Sequence, residues 1–60
     1  MVYDNVKSVC EKQGKSIAAL EREAEIGNGT IGKWKTSTPN LATLEKVANV
    51  LKIPVTKLMK

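Results

Sequence analysis

Apolar residues recur every three or four positions along most of the chain. In the first third this spacing predicts a helix over residues 2–13, whose apolar stripe is Val2, Val6, Val9 and Cys10. Gly14 follows directly, and glycine is common just past a helix end. Ser16 then precedes a second apolar run and is a good N-cap. A second helix is therefore predicted over about residues 16–24.

Residues 26–29, with the sequence IGNG, separate the second apolar run from a third. This segment is too short for a loop and too rich in turn formers for one straight helix. We therefore predict a tight corner followed by a short helix over about residues 28–36. Gly27 is expected to supply an unusual backbone conformation and Asn28 to cap the new helix. An Asn-Gly hairpin is rejected because the flanking runs are too short for strands.

The predicted third helix has two unlike faces. Ile31 and Trp34 form its inner face, and we expect Trp34 in the core rather than stacked on a nucleic-acid base. Its outer face consists of Gly29, Thr30, Gly32, Lys33 and Thr36. Gly32 makes a helix about 1 kcal/mol less stable than alanine would. Two uses for it stay open, which are close approach of the backbone to a partner and close packing against another helix.

The most regular apolar pattern lies in the last third of the chain. Asn40 is a good N-cap after Pro39. A helix over about residues 41–51 is predicted from apolar residues that repeat at three- and four-residue steps, namely Leu41, Leu44, Val47, Ala48 and Leu51. One or two further turns are expected over residues 55–59. The apolar residues near this end are Ile53, Val55, Leu58 and Met59, of which we expect at least two in the core and the others as candidates for a dimer surface.

The five predicted helices form one all-α domain, a compact bundle spanning residues 1–60. A chain of this length buries only about 60% of its unfolded surface and has no room for a separate substrate domain. One cysteine and no histidine exclude an internal disulfide and the usual zinc sites, and Cys10 is expected to be a buried core residue. No catalytic pair or nucleotide-binding loop is recognisable. We therefore expect no enzyme activity, cofactor, metal or small-molecule substrate.

Charge is distributed unevenly along the chain. The net charge is +4, but residues 1–32 carry four basic and five acidic side chains, whereas residues 33–60 carry six lysines and one glutamate. A basic surface beside the third helix is predicted, and such surfaces attract nucleic acid or anionic membranes. Lysines kept for solubility are the alternative. The sequence has neither an apolar run of membrane-spanning length nor a signal-peptide pattern, so a cytoplasmic, nucleoid-associated location is expected.

The ordered set of these features resembles the helix-turn-helix regulators of the phage repressor and Cro type, also called the Xre type, and especially the small regulators of Gram-positive bacteria and their phages. The matching positions are Ser16-Ile17, Leu20-Glu21, Gly27 to Ile31, Lys33-Trp34-Lys35, Pro39, Thr43-Leu44, Lys46-Val47-Ala48, Leu51, Ile53 and Leu58. The resemblance implies a five-helix, lambda-repressor-like domain that binds double-stranded operator DNA, usually as a homodimer.

The same resemblance assigns roles to single residues. It implies that base edges are contacted by Asn28, Gly29, Thr30 and Lys33. It implies that phosphates are contacted by Ser16, Ile17, Lys35, Thr36 and Ser37. Most relatives have glutamine in place of Ile17 and glycine in place of Glu25. If Glu25 adopts a left-handed conformation, it carries strain of roughly 1 kcal/mol or more; the alternative is a turn adjusted around Gly27.

We therefore predict a transcriptional regulator, repressor or Cro-like, that binds specific DNA sequences by placing its third helix in the major groove. The alternative is a protein-interaction module derived from the helix-turn-helix, antitoxin-like or dimerising, with weak or no DNA binding. The charged run of the second helix, expected to lie in solvent and to face away from DNA, is Glu21, Arg22, Glu23 and Glu25. Its glutamates favour the alternative. DNA binding requires Lys33, Lys35 and the start of the second helix to share a face free of acidic side chains.

Overall fold

The computed structural model describes residues 1–59, and Lys60, the last residue of the predicted domain, lies outside the described residues. Within this range the chain forms three α-helices and two short 3₁₀ helices, with no strand. In chain order they are α1 (Val2–Lys12), α2 (Ile17–Glu23), η1 (Ile31–Lys35), α3 (Leu41–Leu51) and η2 (Val55–Lys57). The all-α prediction is confirmed, but the predicted count of five helices is wrong because only three are α-helices. Segments as short as η1 and η2 cannot offset the cost of α-helix nucleation and tighten into 3₁₀ turns instead.

The predicted apolar stripes meet in a single core. Its buried members are Val6, Cys10, Leu20, Ala24, Ile31, Trp34, Leu44, Val47, Ala48, Leu51 and Leu58. Ile53 and Val55 pack against this core and are half-buried, whereas Met59 is exposed. Burial raises the pKa of the Cys10 thiol, against an opposing effect of Lys15. The core role expected for Cys10 is therefore confirmed.

Leu41, the first residue of the apolar repeat in α3, lies outside the core. Its side chain is 55% exposed. It occupies the first position of α3, directly after residues 38–40, which form no regular secondary structure. Apolar periodicity carries no information about which helical turns a neighbouring element covers.

Two predicted helix starts have the side-chain caps that the sequence indicates. The Ser16 hydroxyl oxygen accepts from the Ala19 amide at 3.0 Å at the start of α2. The Asn40 Oδ1 accepts from the Thr43 amide at 2.8 Å at the start of α3. Each cap satisfies a backbone donor that has no partner within the helix.

A residue with a left-handed backbone follows each of the three α-helices within two positions of its end. These residues are Gly14 (φ +66°), Glu25 (φ +58°) and Lys52 (φ +59°). After α2, the Glu25 amide donates to the Arg22 carbonyl at 3.2 Å and the Ile26 amide donates to the Glu21 carbonyl at 3.0 Å. This pair of bonds is the Schellman pattern, which favours glycine at the left-handed position.

The strained alternative for Glu25 is therefore the one observed. Gly27 does not relieve it, and the expectation that Gly27 adopts a conformation closed to other residues is wrong. The glycine of the corner that has a positive φ is Gly29, at +89°. The chain therefore makes two left-handed steps between α2 and η1, one at a glutamate and one at a glycine.

One side chain of α1 and that of its C-cap residue Gln13 anchor the carboxyl-terminal part of the fold. The side-chain Nδ2 of Asn5 donates to the Leu58 carbonyl, and the side-chain Nε2 of Gln13 donates to the Leu51 carbonyl, each at 2.9 Å. α1 also packs against η1 and α2, while α3 packs against α2 and η2. The two elements on either side of the corner, α2 and η1, are thus packed against α1, and α2 is also packed against α3.

Candidate nucleic-acid interface

η1 turns one face to the core and the other to solvent. Ile31 is fully buried and Trp34 is 5% exposed. Gly32 and Lys33, which lie between them, are exposed. Trp34 is therefore a core residue, as expected, and its ring is not available to stack on a base.

The outer face of η1 is open at Gly32. A Cβ atom built on Gly32 has no heavy atom of the described chain within 4 Å, and Gly32 does not have a positive φ. Glycine is therefore not required here to let another helix approach, and that alternative is excluded. The remaining use of Gly32 is to let the backbone of η1 approach an external partner closely.

The start of η1 differs from the prediction. Residues 28–30 form a turn, with the Thr30 amide donating to the Gly27 carbonyl at 3.1 Å, and the helix begins only at Ile31. The N-cap residue of η1 is Thr30, whose side chain makes no capping hydrogen bond. Asn28 lies two residues before the N-cap position. The predicted helix over 28–36 and the predicted Asn28 cap are therefore wrong.

A carboxylate from α2 caps this helix start instead. Glu21 is 3% exposed. Its Oε2 accepts from the Ile31 amide at 2.9 Å and from the Gly29 amide at 3.1 Å, and its Oε1 also accepts from the Gly29 amide at 3.1 Å. The expectation that Glu21 lies in solvent is wrong. Backbone donors that no carbonyl reaches in this tight corner bind the buried carboxylate, and their bonds compensate its lost hydration.

The sequence contained a signal for this contact. Ile17, Leu20, Glu21 and Ala24 are spaced three or four residues apart, so Glu21 lies on the inward stripe of α2. An acidic residue on an apolar stripe, followed by a glycine-rich turn with unpaired amides, indicates a buried cap rather than a solvated charge.

Residues 6–58 match a protein-family model described as helix-turn-helix. The match covers most of the chain. The chain belongs to the helix-turn-helix family. It is a DNA-binding helix-turn-helix regulator. No curated protein and no solved structure was matched.

In this helix-turn-helix, α2 is the first helix, residues 24–30 are the turn and η1 is the second helix. The residues expected to contact base edges lie in succession around the start of η1. Asn28, Gly29 and Lys33 are exposed, and Thr30 is half-buried. No acidic residue occurs between Ile26 and Leu44.

The residues expected to contact phosphates differ in what they offer. Ser16 is exposed, although its hydroxyl oxygen is used in the α2 cap. Ile17 is half-buried against the core and has no side-chain donor. The Thr36 and Ser37 hydroxyls both donate to the Lys33 carbonyl, at 3.4 and 2.9 Å, so these two donors are occupied in the free protein.

Lys35 is held by an aromatic ring. Its Nζ lies 5.0 Å from the centre of the Tyr3 ring of α1, which is within the range of a cation–π contact. The Lys35 ammonium group is thus positioned at the end of η1 by an aromatic ring rather than by a carboxylate.

Both acidic side chains of α2, Glu21 and Glu23, have partners within the chain. The Glu21 carboxylate is buried in the cap described above, and Glu23 pairs with Lys15 at 2.9 Å. Lys15 directly precedes the N-cap Ser16 and Glu23 is the last residue of α2, so the pair links the two ends of this helix and neutralises Glu23. The charges of Glu21 and Glu23 are thus matched within the chain, whereas Glu25, the third glutamate that favours an interaction module when the sequence is taken alone, is exposed.

Within residues 1–59, no helix combines the length and apolar character needed to cross a membrane. The same residues contain no cluster of three or more histidine, cysteine, aspartate or glutamate side chains that could hold a metal ion.

Proposed function

We propose that the chain is a transcriptional regulator, repressor or Cro-like, that binds specific double-stranded operator sequences by inserting η1 and the turn before it into the major groove. We also propose that the chain belongs to the subgroup of small regulators from Gram-positive bacteria and their phages, which its sequence resembles. One observation carries it. The outer face of η1 is a bare, exposed surface with a lysine and no carboxylate, on a helix whose inner face is fully buried.

Base readout follows from the chemistry of the exposed residues. The Lys33 ammonium is suited to the O6 and N7 acceptors of guanine, and the Asn28 amide is suited to the N6 donor and N7 acceptor of adenine. The Thr30 methyl group is suited to the thymine methyl. Lys35 and the residues around Ser16 and Ser37 would bind phosphates, which fixes the register without reading sequence.

One domain of this kind offers a single long basic side chain for base contacts, so it discriminates poorly alone. We propose that two copies bind half-sites about one helical turn apart. Of the carboxyl-terminal apolar residues considered for a contact between copies, Met59 is exposed, whereas Leu58, Ile53 and Val55 are taken up by the core or its edge.

Selection of bound sequences from a random duplex pool tests the proposal. We expect a palindromic consensus with the half-site spacing of a dimer. The affinity for the selected duplex should fall steeply with salt, with a logarithmic slope of about −0.9 for each phosphate neutralised. If the pool shows no enrichment and affinity stays flat between low and moderate salt, the DNA-reading function is rejected and the interaction module is the better explanation.

Lys33→Ala tests base readout by η1. We expect roughly 1–3 kcal/mol weaker binding to the selected duplex and relaxed preference at one base position, since a lysine bound to guanine discriminates by that amount. Lys46→Ala is the matched control, because it removes the same charge from an exposed position on α3.

Repeating the selection with each variant distinguishes a base contact from a phosphate contact. Lys46→Ala should leave the consensus unchanged. If Lys33→Ala also leaves it unchanged, and weakens selected and random duplexes equally, then Lys33 contacts only a phosphate.

A further inference from the structure

We propose that the buried Glu21 carboxylate is a positioning residue for DNA recognition, which sets the conformation of the turn that carries the base-contacting residues. The inference rests on the proposed function and adds to it a residue that would touch no DNA. It assigns part of the sequence discrimination to a side chain in the first helix of the pair.

The geometry joins Glu21 to the turn at two points. Its two oxygens accept from the Gly29 amide, and one of them accepts from the Ile31 amide two residues later. Thr30 lies between these two anchored amides and Asn28 directly precedes them. A carboxylate that holds both amides therefore fixes two peptide planes, the one that joins Asn28 to Gly29 and the one that joins Thr30 to Ile31.

Gly29 makes this anchoring necessary. Its φ of +89° is a conformation that glycine can leave easily, since it has no Cβ atom to restrict it. A Cβ built on Gly29 has no neighbour within 4 Å, so side-chain packing does not hold the residue in place either. The bonds to Glu21 are the contacts that tie the Gly29 amide to the body of the fold.

A buried carboxylate at this position also leaves the outer face of η1 free of its charge. At 3% exposure, Glu21 approaches the amides from the core side. Its negative charge is compensated by charge-assisted hydrogen bonds from the two amides of the turn. The backbone at the start of η1 is thereby ordered from within, and the exposed surface keeps its lysine without a competing anion.

Glu21→Gln and Glu21→Asp test the proposal. Glutamine keeps one acceptor oxygen but places an NH₂ group against an amide donor, and aspartate keeps the charge but is one methylene shorter. Glu23→Gln is the matched control, because it makes the same change on the exposed side of the same helix. Circular dichroism first establishes the temperature at which each variant is folded.

Duplex binding is then measured for the selected sequence and for a scrambled duplex of equal length, at one salt concentration. For Glu21→Gln we expect the ratio of specific to non-specific affinity to fall roughly tenfold, as for one unsatisfied buried donor, and non-specific affinity to change less than about twofold. Glu23→Gln should leave the ratio unchanged. A ratio unchanged in the folded Glu21 variants would overturn the proposal and reduce Glu21 to a stabilising contact.

Amide hydrogen exchange gives a readout that needs neither DNA nor a folded variant. In the wild-type chain the Gly29 amide should exchange at least about tenfold more slowly than an unstructured glycine, because it is bonded to Glu21. Exchange at the unstructured rate would refute the anchoring. If wild-type protein fails to bind duplexes while Gly29 is protected, the proposed function fails but the positioning geometry stands.

Discussion

Substituting alanine for Gly32 separates folding from recognition more sharply than any other single change in this chain. Gly32 lies inside η1 without a positive φ, and a Cβ there meets no atom within 4 Å. Alanine thus adds no clash and no strain, while it reduces the conformational freedom of the unfolded chain. We expect the free energy of unfolding to rise by about 0.4–1 kcal/mol, which corresponds to a rise in Tm of about 2–8 °C for a domain of this size.

Binding should change in the opposite direction. If the bare backbone at Gly32 lies against the floor or wall of the major groove, an added methyl group overpacks that contact at a cost of about 1–3 kcal/mol. The affinity for the selected duplex should therefore fall roughly 5- to 150-fold. Thermal denaturation followed by circular dichroism and a binding titration at fixed salt provide the two numbers.

Gly14→Ala is the control for the stability arm, because Gly14 has a φ of +66° and alanine there is strained. It should lower Tm by a similar amount. A role for Gly32 in the interface is refuted if Gly32→Ala is more stable but binds the selected duplex as tightly as the wild-type chain. A lower Tm for Gly32→Ala would show that the outer face of η1 is not open.

Two further predictions concern stability alone. Glu25→Gly should raise the free energy of unfolding by about 1 kcal/mol, because glycine adopts the left-handed conformation at the end of α2 without strain; an unchanged Tm in thermal denaturation would contradict the strain at Glu25. Burial raises the pKa of the Cys10 thiol above its usual 9.0, so the folded chain retains a proton that the unfolded chain releases. The stability from this group should be complete below about pH 9 and decline as the pH rises through the folded-state pKa. Urea denaturation between pH 8 and 10.5 should show this decline in the wild-type chain and a smaller one in Cys10→Ala, and equal slopes would argue against it.

The α-helices were predictable because their signals are local. The end of α3 is indicated by the apolar stripe that reaches Leu51, and its start by the N-cap Asn40. The N-cap Ser16 likewise indicates the start of α2. Periodicity and capping act within one helix and need no knowledge of what packs against it. The same holds for Ile31 and Trp34, whose spacing alone indicated an inward face.

The corner was harder to predict because its conformation depends on a contact across the fold. Asn28 has the right chemistry for a cap, but Glu21 supplies the acceptor from another helix and moves the start of η1 to Ile31. Gly27 and Gly29 are equally able to adopt a positive φ, so the sequence does not distinguish them. Burial of a charged residue is likewise decided by the donors that tertiary structure brings to it.

Gly32 illustrates what the structure adds to a sequence pattern. The sequence left two uses for it equally open, and the empty space around its missing side chain removed one of them. The exposure of the outer face of η1, together with its composition, therefore supports a role in recognition.

Chemical-shift mapping of the isotope-labelled chain with the selected duplex tests most directly whether η1 is the DNA-reading helix. We predict the largest amide perturbations at the start of α2 and from Asn28 to Ser37, with Gly29, Gly32 and Lys33 prominent and with little change along the outer face of α3. Perturbations concentrated instead around Met59, with the amides of η1 unmoved, would contradict this role.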